Sequence, residues 1–161
     1  MSLDRFLKAQ EKSYAGALAE LQAGAKRGHW IWWILPQMRG LGTSEYAVFY
    51  GISDKAEATA YLAHPVLGSR YREFVAVIHG HLCEGGVAPL TLMGSEIDVL
   101  KLRSSLELFL SVSPAASANW AHCSAWSSWL TASLPYQVVA RLLNSCSISG
   151  MLSDIWFPPY L

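Results

Sequence analysis

His29 stands directly before Trp30-Ile31-Trp32-Trp33-Ile34-Leu35, six consecutive apolar residues closed by Pro36-Gln37. Imidazole titrates nearer neutrality than any other unperturbed side chain, so His29 is the best general acid–base candidate. The indoles can stack on a planar group, and each indole N–H seeks an acceptor once buried. Gln37 can orient polar groups at the margin of that apolar run. Downstream, Arg39 precedes Gly40-Leu41-Gly42-Thr43-Ser44. This reads as a glycine loop leading to an N-cap at Thr43 or Ser44 and a short helix. Exposed N–H groups at a helix start suit an anion, and Lys26, Arg27 and Arg39 lie nearby in sequence.

A second basic group, Lys101 and Arg103, sits beside Ser104-Ser105. On a helix Lys101 and the serines are one turn apart and share a face. The expectation is a small anionic or nucleotide-like ligand between the tryptophan run and the Gly40–Ser44 loop. Trp30, Gln37, Arg39, Ser44, Lys101 and Arg103 would bind it, and His29 would move a proton if there is a reaction. The competing expectation is a non-catalytic interaction or structural module, in which these residues cap turns, satisfy the core and form solvated ion pairs.

Other chemistries find less support. His79, His81 and Cys83 alternate and would share one face of an extended segment, a pattern suited to zinc or copper. Only His122 and Cys123 could complete such a set, so no metal is expected, and no cofactor. No Walker motif, GxGxxG, HExxH or Ser-His-Asp signature is present. With 12 acidic and 12 basic residues the formal net charge is zero, and no clustered basic excess suggests a nucleic-acid surface. Cys83, Cys123 and Cys146 form no CxxC pair, which argues against a disulfide framework. Asp4, Arg5, Lys8, Glu11 and Lys12 interrupt any apolar signal region. A cytoplasmic protein without membrane contact is the resulting expectation.

The elements that must position these residues read as helices. Leu3, Phe6, Leu7, Gln10 and Tyr14 recur at helical spacing, with Leu18 and Leu21 continuing the face. Ser13 or Gly16 is a candidate break and Gly24 a candidate stop. Pro36 ends whatever the tryptophan run forms. Ser53-Asp54 starts a helix whose apolar side is Ala56, Ala60 and Tyr61-Leu62. His64-Pro65 ends it, with Pro65 opening the next, which carries Val66, Leu67, Tyr71, Phe74, Val75 and Ile78. Gly80 and Gly85-Gly86 mark a loop. Ser95 caps a last helix with Glu96 and Asp98 in its first turn and Ile97, Leu100, Leu102, Leu106, Phe109 and Leu110 on its apolar positions. No period-2 run stands out. The fold class is all-α: a compact multihelical domain of short helices built around the indoles.

Several of these segments resemble a bacterial family catalogued as domain of unknown function eighteen-ten, some members of which carry the label calpastatin. The matching pieces include Leu3-Asp4-Arg5-Phe6, Ala17-Leu18-Ala19-Glu20-Leu21, His29-Trp30-Ile31-Trp32, Pro36-Gln37, Gly40-Leu41-Gly42-Thr43-Ser44, Ala60-Tyr61-Leu62-Ala63-His64-Pro65 and Lys101-Leu102-Arg103-Ser104-Ser105. The resemblance covers residues 3 to about 110 and implies a compact multihelical fold and no activity. The pattern usually has Thr-Leu-Phe where this chain has Glu107-Leu108-Phe109.

Residues 1–113 therefore form the expected family domain. From Pro114 to Leu161 the only charged side chains are Arg141 and Asp154, in a Ser- and Trp-rich tail. The resemblance implies instead a charged amphipathic helix there. Such a break in composition is what a reading-frame change leaves; the alternative is a lineage-specific tail. Sequencing the gene across the codons for residues 108–120 is expected to reveal a family-like frame one base away. Its absence ends the frameshift explanation.

Overall fold

A computed structural model describes residues 2–113; the tail, 114–161, lies outside the described residues. Seven α-helices follow in order: α1 (Asp4–Gln22), α2 (Ile31–Ile34), α3 (Glu45–Tyr50), α4 (Lys55–Ala63), α5 (Pro65–His79), α6 (Pro89–Met93) and α7 (Glu96–Leu110). No β-strand occurs among the described residues; Met38 and Ile52 form one isolated bridge. The all-α expectation holds.

Local chemistry explains most boundaries. Ser44, Asp54 and Ser95 accept hydrogen bonds from Ala47 N, Glu57 N and Asp98 N, capping α3, α4 and α7. His64 does the same for α5 through Nδ1, which accepts from Val66 N and Leu67 N, with Pro65 in the first turn. Gly94 ends α6 in the left-handed region at φ 78°. Neither Ser13 nor Gly16 breaks α1. Ser13 donates its hydroxyl back to Ala9 O at 2.7 Å, which keeps it satisfied within the helix. The expected loop after α5 begins instead as a π-helical turn, Gly80–Glu84, closed by Gly85 N donating to Gly80 O.

Two helices turn differently from the expected faces. On α4, Ala56 and Ala60 are exposed and Glu57, Ala58 and Tyr61 are buried. Glu57 can face inward because Arg5 Nη2 meets its Oε1 at 2.6 Å and Ser53 N and Oγ donate to Oε2. On α7, Leu102, Leu106 and Phe109 enter the core, whereas Ile97 and Leu100 lie 66% and 60% exposed.

The centre of the core is a cluster of phenyl and phenol rings rather than a knot of indoles. Phe6 meets Tyr61 edge-on at 5.1 Å, and Tyr71 and Phe109 lie 4.4 Å apart. Trp30 joins this cluster edge-on against Phe74 at 5.2 Å. Trp33 packs on Tyr46 and Tyr50 and remains only half-buried, as does Trp32.

The tryptophan run adopts only one helical turn. Leu35, at φ −120° and ψ 63°, leaves the helix before Pro36. The carbonyls at the end of α2 take donors from other helices. Gln10 Nε2 of α1 donates to Trp33 O at 2.7 Å, and the Tyr61 hydroxyl of α4 lies 3.1 Å from Trp33 O and 3.3 Å from Ile34 O. Gln10 Nε2 also reaches the Tyr61 oxygen at 2.9 Å. Tyr61→Phe is expected to leave the buried Ile34 carbonyl without its donor and to cost about 1–3 kcal/mol. Urea unfolding checks this; an unchanged midpoint would mean the network carries no stability.

Candidate functional site

Between α2, the loop 37–44, α3 and α7 lies a cleft of about 550 Å3. Its floor and walls are mostly apolar: Trp32, Met38, Leu41, Ala47, Tyr50, Ile97 and Leu100. Gln37, Ser44, Lys101 and Ser104 add polar groups to the lining. Ile97, Leu100, Lys101 and Ser104 follow i, i+3, i+4, i+7 spacing, so one face of α7 forms a wall while the opposite face enters the core. The loop is closed at its neck by Arg39 N donating to Ile52 O at 2.8 Å and Ile52 N donating to Gln37 O at 2.9 Å. Gly51 is required there: a Cβ would lie 2.6 Å from Ala47 O and 2.9 Å from Arg39 Cα.

One end of the cleft is organised by charge. Asp98 bridges two ammonium groups, Lys26 Nζ at 2.5 Å and Lys101 Nζ at 2.8 Å. Lys26 is buried, also donates to Gly28 O at 2.7 Å, and lies over the Trp30 ring at 5.4 Å. Lys101 sits over the Trp32 ring, 4.1 Å from its centroid, and faces the cleft. Burial works against ionisation of Asp98, but the hydrogen bonds from Lys101 and Lys26 outweigh it and hold the carboxyl below the usual aspartate range.

A second carboxylate builds the approach to α2. Glu20 Oε2 accepts from Arg27 N, Gly28 N and Trp30 Nε1 at 2.9, 2.8 and 2.8 Å. Burial opposes its ionisation too; the donors from Gly28, Trp30 and Arg27 more than offset that and hold it low. Trp33 Nε1 likewise donates to Ser13 Oγ at 2.8 Å. Among the described residues no acceptor meets Trp32 Nε1. Two of the three clustered indoles therefore have structural N–H partners, and the third lines the cleft.

The structure brings Gln37, Ser44 and Lys101 together, three of the residues expected to bind a ligand. Gln37 is buried, and its Nε2 donates to Leu35 O at 2.5 Å. Ser44 uses its oxygen as the cap of α3, whose six residues make only a short helix. The other nominated residues stand elsewhere. Trp30 is in the core, bound to Glu20. Arg103 is buried and paired with Glu107 at 2.9 Å. Arg39 and His29 are exposed and outside the cleft lining.

Trp32 and Ser104 line the cleft although neither is among the residues expected to bind the ligand. A helical reading of the tryptophan run would have separated Trp30, Trp33 and Ile34 from Trp32. Six unbroken apolar residues carry no period by which to choose helix over strand. Among the described residues no His, Cys, Asp and Glu group could hold a metal.

The family described as "Protein of unknown function (DUF1810)" matches residues 1–128. The chain belongs to that family. The match extends past the change in composition at Pro114. Among solved structures, the chain is similar to that of the conserved hypothetical protein Rv1873 from Mycobacterium tuberculosis, with 38% identity and a TM-score of 0.71. That similarity covers 88% of this chain and 96% of the other. No curated protein matches. The DUF1810 match names no activity, and the similarity to the solved structure concerns the fold, so the chemistry has to be read from the cleft. No helix among the described residues is long and apolar enough to cross a membrane.

Glu20, Glu57 and Asp98 all stand below their ordinary values of 4.5, 4.5 and 3.8. For Glu57, burial again opposes the shift, and the donors from Ser53 and Arg5 exceed it. A carboxyl depressed in the folded state contributes stability that is fully present above its unfolded value. That stability is lost as pH falls through the folded value. Urea midpoints are therefore expected to hold above about pH 5 and fall steeply below about pH 4.5. Glu20→Gln should flatten the fall; an identical pH profile in that variant would refute its part in it.

Proposed function

We propose that the cleft binds a small anionic or nucleotide-like organic ligand carrying a planar ring. The observation that carries this reading is the pair of Trp32 and Lys101 at one cleft wall, with the ammonium held over the ring at 4.1 Å. A concave, mostly apolar space with a few convergent polar groups is the usual form of a small-molecule site, and its volume is in the common range. Lys101 has three donors and gives one to Asp98, which leaves N–H groups for a ligand anion. Trp32, Ser104 and Gln37 line the same space and carry polar groups that can fix a ligand's orientation. Nothing in this arrangement routes a proton through His29, so the proposal is for binding, and turnover forms no part of it.

The alternative is a non-catalytic protein-interaction module. It draws on Leu41, Phe49, Ile97 and Leu100, each more than half exposed around the cleft and on α3. The two readings differ in what stabilises the protein. A thermal-shift screen with nucleotides and ring-bearing acids is expected to find ligands that raise the unfolding temperature. A ligand at about 100 times its Kd adds roughly 2.7 kcal/mol. Trp32→Ala and Lys101→Ala should each weaken such a ligand about tenfold or more, and His29→Ala should leave it unchanged. Loss of binding in His29→Ala with full retention in Trp32→Ala would overturn the assignment of the cleft.

A further inference from the structure

The charge around the cleft restricts what can occupy it. Among the described residues, Lys101 is the only formally charged one in the cleft lining. Its charge is not free, because Asp98 lies 2.8 Å away and also contacts the buried Lys26. Two ammonium groups and one carboxylate leave the cluster with a net charge of one. Arg103, the nearest other cation on α7, is buried beside Glu107 and outside the lining. Resting on the ligand reading above, we infer that this cleft selects a planar-ring compound bearing a single negative charge, such as an aromatic carboxylate, and draws no added affinity from the further charges of nucleoside di- and triphosphates.

One carboxylate neutralises the surplus charge and can accept from the remaining Lys101 donors. A second negative charge would lie toward Leu41, Ile97 and Leu100, a side of the lining that holds no cation among the described residues, so it would gain no ion pair there. An uncharged ring would leave the net positive cluster unmatched. The ring itself has apolar walls on both sides, from α7 and from the loop before α3. Trp32 and Ser104, also in the lining, carry hydrogen-bonding groups without adding charge.

The test is a charge series on one ring: 2-naphthamide, 2-naphthoate and 2-naphthyl phosphate, with ATP as the polyanion. Binding to the full chain is followed through the indole N–H resonance of Trp32, assigned with Trp32→Phe. The expected result is saturable movement of that resonance by 2-naphthoate, about tenfold tighter than by the amide, with no further gain from the phosphate or ATP. Lys101→Met should abolish the preference for acid over amide, and Lys101→Arg should retain it. Tighter binding of the phosphate or ATP than of the carboxylate, or equal binding of acid and amide, would overturn the single-charge inference and leave the ligand cleft standing. If no member of the series moves the Trp32 resonance, the ligand reading fails and this inference fails with it.

Discussion

A helix of four residues satisfies almost none of its own backbone groups, and α2 is such a helix placed inside the protein. Its first amides and last carbonyls have no intrahelical partners, and burying them unpaired would cost several hydrogen bonds. The rest of the fold supplies donors to the last carbonyls of α2 and fixes the segment that leads into it. Before the turn, Glu20 collects Arg27 N, Gly28 N and the Trp30 indole on one oxygen. After it, Gln10 and Tyr61 reach the Trp33 and Ile34 carbonyls. These partners come from α1 and α4, so the position of the tryptophan turn and the packing of the longer helices are one constraint. It also explains a buried Gln10 in an otherwise apolar face.

The same turn sends its indoles in opposite directions. Trp30 enters the phenyl cluster beside Phe74, and Trp32 faces α7. Asp98 then joins the two sides. It takes Lys26, which lies over Trp30, and Lys101, which lies over Trp32. Removing water from two ammonium groups is costly, and a shared carboxylate plus two indole faces offset that cost. One result is mechanical, since the segment before α2 is pinned to α7. The other is chemical, because the cluster leaves one partly used cation at the wall of an apolar cleft.

The cleft exists because the loop 37–44 and α3 stand away from α7 instead of collapsing onto it. The neck between Gln37, Arg39 and Ile52 and the close approach at Gly51 hold that loop as a unit. Membership of DUF1810 and the similarity to the mycobacterial protein agree with the helical architecture. The chemical reading rests on the cleft alone.

Local sequence determined much of the helix plan. Ser44, Asp54, Ser95 and Pro65 announced starts, and Pro36 announced an end, because capping and φ restriction act over a few residues. The all-helical class followed from 3.6-residue spacing in α1, α5 and α7. Gln37, Ser44 and Lys101 could be named as cleft residues because each sits beside a recognisable boundary or on a periodic face. Only the tertiary structure decided which indole was structural and which faced the cleft. It also decided that Ile97 and Leu100 stay outside and that Glu57 turns inward. Those outcomes depend on partners distant in sequence: Glu20 for Trp30, Lys101 for Trp32 and Arg5 for Glu57. An apolar or charged side chain carries no local mark of the neighbour that folding will bring to it.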